Sequence, residues 1–492
     1  MVGLIAAAGQ GCRLYPESKQ RSKVLLTVDG QSLISRTVAM MKDQLNISKI
    51  FIVVSKNRKA VEQELGDTRS SGLYVHYIDN HEPEKGLAQG ILLAEPLIDG
   101  PFCLMLSDEL YEGSDHFRLP DMFDQAFSAI CCVKNGSSPR EIRKNYMVEI
   151  TDHKITRLTE KPKLVIQDHM GCGTFVFTPD IFEAIRLVSP SVHSGKKELI
   201  DAVDLLIRTG KTVLPFYTGG DYVNVNTADD LNHANYIVRG KRFDQKTISL
   251  VIPAWNEEDS IGHVIDDFKG KVAEIIVADN LSTDRTPDIA KQKGARVYSR
   301  RLRGYGHAIR YGLSKATGDI LVVTEADGSF AARDLGKLLE YLKDADMVIG
   351  TRTTKQMIEQ GANMNLFLRF GNAAVAKIIE MMWWSRHEPR LTDVGCTYRA
   401  IWKDAYDRIK DDLNADGPAF SPEMIIEPIR HFLRIIEIPV SYHGRIGGES
   451  KHSRTFIHIL RTGFSMLFLI CRKRLTYFFI DDLPAWLKNR RS

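Results

Sequence analysis

The chain has 492 residues, 43% of them hydrophobic and 26% charged, which is enough material for two or three globular cores and excludes a low-complexity or disordered protein. Its net charge of +4 is unevenly placed: residues 451–492 carry nine Lys/Arg against Asp481 and Asp482, a balance of +7 that leaves the rest of the chain at −3. A generally basic, nucleic-acid-binding surface is not indicated, and a negatively charged partner is expected to meet the tail. The seven cysteines (Cys12, Cys103, Cys131, Cys132, Cys172, Cys396 and Cys471) are odd in number and form no CxxC pair, which points to reduced thiols in a cytoplasmic protein.

In chain order, residues 3–8 form an apolar run closed by a glycine-rich turn and read as a strand; no basic segment precedes it, as a signal peptide would require. Residues 33–44 read as a helix and Lys49–Val54 as a strand. The polar, basic stretch 239–246 reads as a linker. Beyond it, 248–252, 274–278 and 319–324 read as strands, with helices at 287–293 and 306–315. This alternation predicts a parallel α/β sheet in each half, with ligands at the carboxyl ends of the strands. Asp108, after FCLMLS, and Asp327, after ILVVTEA, stand at two such ends. In the tail, Ile459, Leu460, Gly463, Met466, Leu467 and Ile470 recur at helical spacing, and the apolar run 462–471 is too short to cross a bilayer. Two readings of this helix are open: it lies in a membrane interface with its cations toward anionic lipid, or it packs on the core and is basic only at its ends.

The densest chemistry lies in LIAAAGQGCRLYPESKQRSKVLL. Gly9 and Gly11 permit a tight turn whose backbone N–H groups face phosphate oxygens, and Arg13 and Lys23 add two cations suited to a triphosphate. The string resembles the signature of the sugar-phosphate nucleotidyltransferases, and the resemblance extends over residues 1–240. It implies a base-recognition segment at Gly86 (GLAQG) and a metal aspartate at Asp108. It further implies sugar and phosphate contacts from Glu160 and Lys161 (TEKPK), an acceptor pocket at Gly173 (GCGTFVF), and a second metal ligand at Asn224 (YVNVNTADDL). In that reaction a sugar phosphate attacks the α-phosphorus of an NTP and pyrophosphate leaves; Mg²⁺ and cations neutralise the charge, and no covalent nucleophile is needed. Three positions depart from the family. Cys12 replaces Thr or Ser, Ser22 replaces Pro, and Asn224 replaces Asp, which removes a charge although an amide oxygen can still ligate Mg²⁺. Asn226 is a neighbouring alternative ligand. An active enzyme, a weakened regulatory domain, and a cytidylyltransferase for a non-sugar phosphate all remain open here.

In the second half, SLVIPAWNEEDSI, EIIVADNLSTDRTPDIA, GYGHAIRYGL, GDILVVTEADGSF and MVIGTR follow in an order that resembles family 2 glycosyltransferases, over residues 247–450, and most closely the dolichyl- and polyprenyl-phosphate sugar transferases. The resemblance implies nucleotide contacts from Pro253, Glu257 and Asp279, although Asp279 also reads as a helix cap. It places Glu325 and Asp327 in the DxD position, holding Mg²⁺ or Mn²⁺ against the donor diphosphate. Arg352 is then a diphosphate or acceptor contact. Asp393, in LTDVGCTYRAI, is a general base for a hydroxyl acceptor, or an orienting group if the acceptor is a phosphate and already a nucleophile. Arg399, Arg445 and Lys451 suit an acceptor phosphate, and the lesser reading of Arg399 is a paired structural arginine. Inversion at the anomeric carbon is implied.

The expected protein is therefore α/β: two Rossmann-like doubly wound domains in tandem, a nucleotidyltransferase fold at 1–240 and a GT-A glycosyltransferase fold at 247–450, with a short helical basic tail at 451–492. The expected partners are an NTP, a sugar phosphate, an NDP-sugar and a polyprenyl-phosphate acceptor at the inner face of a membrane.

Overall fold

The computed structural model describes residues 1–9, 22–191, 194–301, 304–359, 362, 366–384, 390–447 and 456–478. Two compact units, Met1–Val238 and Arg239–Ser492, divide the chain.

The first unit is built on β1 (Val2–Ala6), helix α1 (Leu33–Asp43), β2 (Lys49–Val54), β3 (Tyr74–Asp79), α2 (Leu87–Leu92), β4 (Phe102–Leu106), β5 (Glu109–Glu112), β6 (Ala129–Lys134), β7 (Tyr146–Thr151), β8 (Lys154–Glu160), β9 (Met170–Phe177), α3 (Asp180–Leu187), α4 (Leu199–Arg208), β10 (Val213–Tyr217) and β11 (Asp221–Asn224). Its main sheet has the order β8-β7-β9-β4-β1-β2-β3, with β6 and β10 attached through β9. Strands β4, β1, β2 and β3 are mutually parallel, as the alternation predicts. Strand β9 runs antiparallel to β4, β6 and β7, so the sheet is mixed and the all-parallel expectation is corrected. Alternation along the strands explains the uniformly apolar sequences. Leu4, Phe102, Leu104 and Cys131 face one core, and Ile5, Cys103, Met105 and Cys132 face the other, because successive side chains point to opposite faces and both faces are covered. The described cysteines are free; five of these six are buried and Cys471 is exposed. A small two-stranded sheet, β5 with β11, places Glu109 opposite Asn224.

The stretch 239–246 is not an irregular linker. Helix Ala228–Arg242 continues into it, followed by a 3-10 turn at Phe243–Gln245. The second unit comprises β12 (Ile248–Ala254), β13 (Glu274–Asp279), β14 (Arg296–Ser299), α5 (Tyr305–Leu313), β15 (Ile320–Val323), β16 (Met347–Thr351), α6 (Leu366–Met382), β17 (Arg399–Trp402), α7 (Phe420–Arg430), β18 (Ile435–Pro439) and α8 (Phe456–Tyr477). Its sheet order is β14-β13-β12-β15-β17-β16-β18. Strands β12 to β15 are parallel, and β17 is antiparallel to both β15 and β16, so this sheet is mixed as well. The tail helix α8 packs on α6 and α7. Among the described residues, no helix is long and apolar enough to cross a membrane.

Candidate active sites

In the first unit a cavity of about 220 Å³ opens at the carboxyl ends of β1 to β4. Ala8 and Gly9, Asn80, Gly86, Lys23 and Asp108 line it. Gly86 has φ +99°, and an added Cβ would stand 3.2 Å from Lys196, so the turn into α2 needs glycine. Gly11 and Arg13 lie outside the described residues. Lys23 Nζ donates to Asp108 Oδ2 at 2.6 Å and to Asn226 Oδ1 at 3.0 Å, so the expected cation and metal aspartate meet although 85 residues separate them.

Behind Asp108 lies a group that sequence reasoning missed. Glu109 is buried and accepts from Tyr111 Oη (2.6 Å), Tyr222 Oη (2.7 Å) and the Gly173 amide (2.8 Å). Burial and the charge of Asp108 push its carboxyl up to about 8. An added Cβ at Gly173 would lie 2.5 Å from this carboxyl, so glycine there makes room for Glu109. Asn224 Nδ2 donates to Asn145 Oδ1 at 2.7 Å, and Asn226 Nδ2 donates to Asn224 Oδ1 at 2.7 Å. The amide that replaces the family's aspartate is thus one link in a chain of amides running from Asn145 to Lys23. Asn145 also accepts, through its carbonyl, from the Lys161 amide at 2.9 Å. Lys161 Nζ pairs with Glu160 at 2.6 Å. Lys161 is thus tied to the Asn145–Asn224 link through its amide, Glu160 to Lys161, and Gly173 to Glu109, the neighbour of Asp108.

In the second unit a cavity of about 310 Å³ opens at the carboxyl ends of β12, β13 and β15. Pro253, Glu257, Glu325, Asp327 and Arg445 line it, joined by Trp255, Asn280 and Tyr305, which sequence reasoning did not single out. Asp279 is buried and its Oδ1 accepts from the Ser282 amide (3.1 Å) and hydroxyl (2.5 Å), so it closes a turn, and the next residue, Asn280, lines the cavity. Glu325 accepts from Thr397 Oγ1 at 2.7 Å, and burial together with Asp327 pushes its carboxyl up to about 7. Arg445 reaches Asp327 Oδ2 at 2.8 Å in an alignment that leaves this buried oxygen without a hydrogen bond. A strap holds Arg445 there: the Ile446 amide donates to the Asp327 carbonyl at 3.0 Å, and the His443 amide to the Ser329 carbonyl at 2.9 Å. Gly328, at φ +77°, makes the strap possible, since an added Cβ would come within 2.4 Å of Ile446. Lys451 lies outside the described residues.

At two positions the geometry favours one of the two readings left open by the sequence. Asp393 is buried, and both its oxygens are engaged. Oδ2 accepts from the Arg352 amide (3.0 Å) and Nε (2.8 Å), and Oδ1 from Arg352 Nη2 (3.0 Å) and the Gly395 amide (3.1 Å). Burial opposes its ionisation, but the Arg352 guanidinium outweighs this and holds the carboxyl below the usual range. With four donors on two oxygens it is a fixed anchor for Arg352, not a group free to take a proton. Arg399 is also buried and donates to the carbonyls of Cys396, Ser421 and Val394, so it ties the loop before β17 rather than facing an acceptor.

The tail helix is held by a buried ionic cluster. Lys473 Nζ lies 2.8 Å from Glu423 and 2.6 Å from Glu427, and Tyr477 Oη also bonds Glu427. Lys473 is therefore a structural cation, which corrects its reading as part of a basic surface.

The two cavities, each at the carboxyl edge of its own sheet and each with a cation on an acidic side chain, define a pair of transferase domains in one chain. The nucleotidyl transferase family model matches residues 2–241, and the model for glycosyl transferase family 2 matches residues 249–407. The chain belongs to the nucleotidyl transferases by its first half and to glycosyl transferase family 2 by its second. Among relatives from Haloferax volcanii, the low-salt glycan biosynthesis hexosyltransferase Agl6 is 31% identical over 54% of this chain, which spans 60% of that protein's length. The UTP–glucose-1-phosphate uridylyltransferase AglF is 29% identical over 48% of this chain and 95% of its own. A dolichyl-phosphate hexose transferase is 30% identical over 42% of this chain and 86% of its own. Among solved structures, a UDP-glucose pyrophosphorylase complexed with UDP-glucose aligns with 21% identity and a TM-score of 0.44, over 49% of this chain and 100% of that one.

Proposed function

We propose that the first unit transfers a nucleotidyl group from an NTP to a sugar phosphate, and that the second transfers a sugar from the resulting NDP-sugar to a polyprenyl phosphate with inversion. The observation that carries this reading is the duplication of one device: Lys23 on Asp108 in one cavity and Arg445 on Asp327 in the other. The side chains fit divalent cations. Asp108 is a partly exposed carboxylate lining its cavity, and Glu325, whose carboxyl is raised by burial and by the charge of Asp327, stands with Asp327, one oxygen of which lacks a hydrogen bond. Bound there, Mg²⁺ or Mn²⁺ supplies charge neutralisation for the reacting phosphates.

In the first reaction a phosphate oxygen of the acceptor attacks the α-phosphorus, that bond forms as the bond to pyrophosphate breaks, and Lys23 meets the charge that develops. Glu160, Lys161 and the Asn145–Asn224 pair orient the acceptor. In the second, a lipid-phosphate oxygen attacks the anomeric carbon and the NDP leaves as an anion facing Arg445. No base is required, since the acceptor is already ionised, and this agrees with the saturated state of Asp393. Asp393 instead fixes Arg352 for the acceptor phosphate. UTP with glucose 1-phosphate, the pair named for AglF, is the first to assay. Full-length protein incubated with each NTP and a panel of sugar phosphates should release pyrophosphate for one preferred pair, and the product should then serve as donor to a polyprenyl phosphate. Pyrophosphate release with no pair, alongside transfer from supplied NDP-sugar, would reduce the first unit to a regulatory domain.

A further inference from the structure

The outer faces of α6 and α8 have the wrong chemistry for helices bathed in water. A surface helix is normally apolar toward the core and polar outward. On α6 the outward stripe, at spacings of three and four, is Leu366, Phe370, Ala374, Lys377 and Met381, continued by Trp384 just past the helix end. Phe370 is 68% and Met381 71% exposed. On α8 the outward stripe is Arg461, Phe464, Phe468, Arg472 and Leu475, with Phe464 69% and Phe468 70% exposed. The opposite stripe of α8, carrying Met466, Ile470, Lys473 and Tyr477, is buried against the unit, so the helix is apolar on two sides and, among the described residues, only one is covered.

The two helices are neighbours, and Arg474 of α8 lies over the ring of Trp383 just beyond α6. Their charges are of one sign on the outside. Helix α8 contains no acidic residue, and the single acid of α6, Glu380, is buried and bonded to Lys377 and the Leu391 amide. Exposed aromatics interleaved with cations, on helices too short or too polar to span a bilayer, are the chemistry of an interfacial element on anionic lipid. The face also sits behind the acceptor cluster. Arg369 of α6 donates to the Thr353 carbonyl at 2.7 Å, next to Arg352, and a Cβ at Gly395 would meet both Arg352 and Asn372 of α6 at 3.0 Å.

We infer that α6 and α8 together form a monolayer-docking face that seats the second unit on an anionic lipid surface, so that a lipid-linked phosphate reaches the Arg352–Asp393 cluster from the side that touches the membrane. This rests on the proposed lipid-phosphate acceptor for its purpose, but not for its test. The lipid surface is favoured over a second copy of this chain because the face carries cations without exposed acids and is not charge-complementary to itself.

The experiment uses full-length protein and vesicles of phosphatidylcholine with about one third phosphatidylglycerol. Wild type should co-sediment at low salt and partition less in pure phosphatidylcholine or at high salt. Phe464→Ser with Phe468→Ser should lower vesicle binding about tenfold or more while pyrophosphate release, transfer to a short-chain, water-soluble polyprenyl phosphate, and the thermal midpoint stay unchanged. Arg461→Gln with Arg472→Gln should weaken binding only to the anionic vesicles. Wild-type protein that ignores anionic vesicles overturns the inference, as does vesicle binding indifferent to the Phe464/Phe468 variant, or a stable dimer that this variant dissociates. Vesicle binding that depends on these residues, with no transfer to any lipid phosphate, leaves the docking face standing and defeats the proposed acceptor instead.

Discussion

Replacing Asp393 by asparagine separates a catalytic base from a structural anchor. The substitution keeps the shape but removes the charge that faces the Arg352 guanidinium, leaving a buried arginine with an amide in place of a bidentate carboxylate. Losing one partner of a buried pair costs about 3–5 kcal/mol, because the remaining charge is uncompensated. At roughly 2–4 °C per kcal/mol for a unit of this size, the second unit's melting transition should fall by about 6–20 °C, near the lower end if the amide keeps some of the hydrogen bonds. The pH dependence has a definite sign. The folded-state carboxyl of Asp393 lies below its ordinary value of about 3.9, so its stabilisation is complete above that value and is lost only as pH falls through the lower folded value. From pH 6 to 9 the deficit of Asp393→Asn should therefore be constant. Calorimetry on full-length protein measures the shift, and transfer from supplied NDP-sugar against pH measures the rate. A variant that melts like wild type yet loses transfer by several orders of magnitude, with loss of a basic limb in the pH–rate profile, would refute the anchor and restore Asp393 as a base.

Lys23→Ala should slow pyrophosphate release by a factor corresponding to about 2–4 kcal/mol, the cost of a lost charged contact to a transferring phosphoryl group, and leave transfer from supplied NDP-sugar intact; steady-state rates of both reactions check this. Asn224→Asp adds a carboxylate beside Asp108 and should tighten Mg²⁺ binding, read by titration calorimetry; collapse of activity with no gain in affinity would mean the Asn145–Asn224–Asn226 chain is itself the working arrangement. Lys473→Met removes the cation between buried Glu423 and Glu427 and should lower the second unit's thermal midpoint by the amount expected for a broken buried pair, about 3–5 kcal/mol, with pyrophosphate release unaffected. An unchanged midpoint would mean the cluster does not anchor α8.

Much of this was readable in the sequence where period and punctuation agree. Strand Lys49–Val54 is found as expected because its β-branched run is bounded by polar residues, and the glycine at 86 marks a turn that admits little else. Strand direction was not readable. AICCVK and MGCGTFVF are apolar on both faces whichever way they run, so nothing local reports that Met170–Phe177 lies antiparallel. The Arg352–Asp393 pair was equally hidden: both residues were singled out, but a contact across 41 positions comes only from the sheet that brings β16 beside the loop before β17. Glu109 was passed over because a lone acid after Asp108 looks like any strand-end carboxylate until the tyrosines at 111 and 222 close on it. In the tail, helical spacing left an interfacial and a core-packing helix both open, and only the packing shows that Met466 and Ile470 are buried while Phe464 and Phe468 are exposed.

The central claim is that one chain carries two independent active sites, each with its own carboxylate and cation. It is tested most directly by Asp108→Ala and Asp327→Ala in full-length protein, measuring pyrophosphate release from NTP and sugar phosphate alongside sugar transfer from supplied NDP-sugar. The account predicts that Asp108→Ala abolishes the first reaction and spares the second, and that Asp327→Ala does the reverse. Loss of both reactions together in either variant, with both melting transitions intact, would contradict it and point to a single composite site.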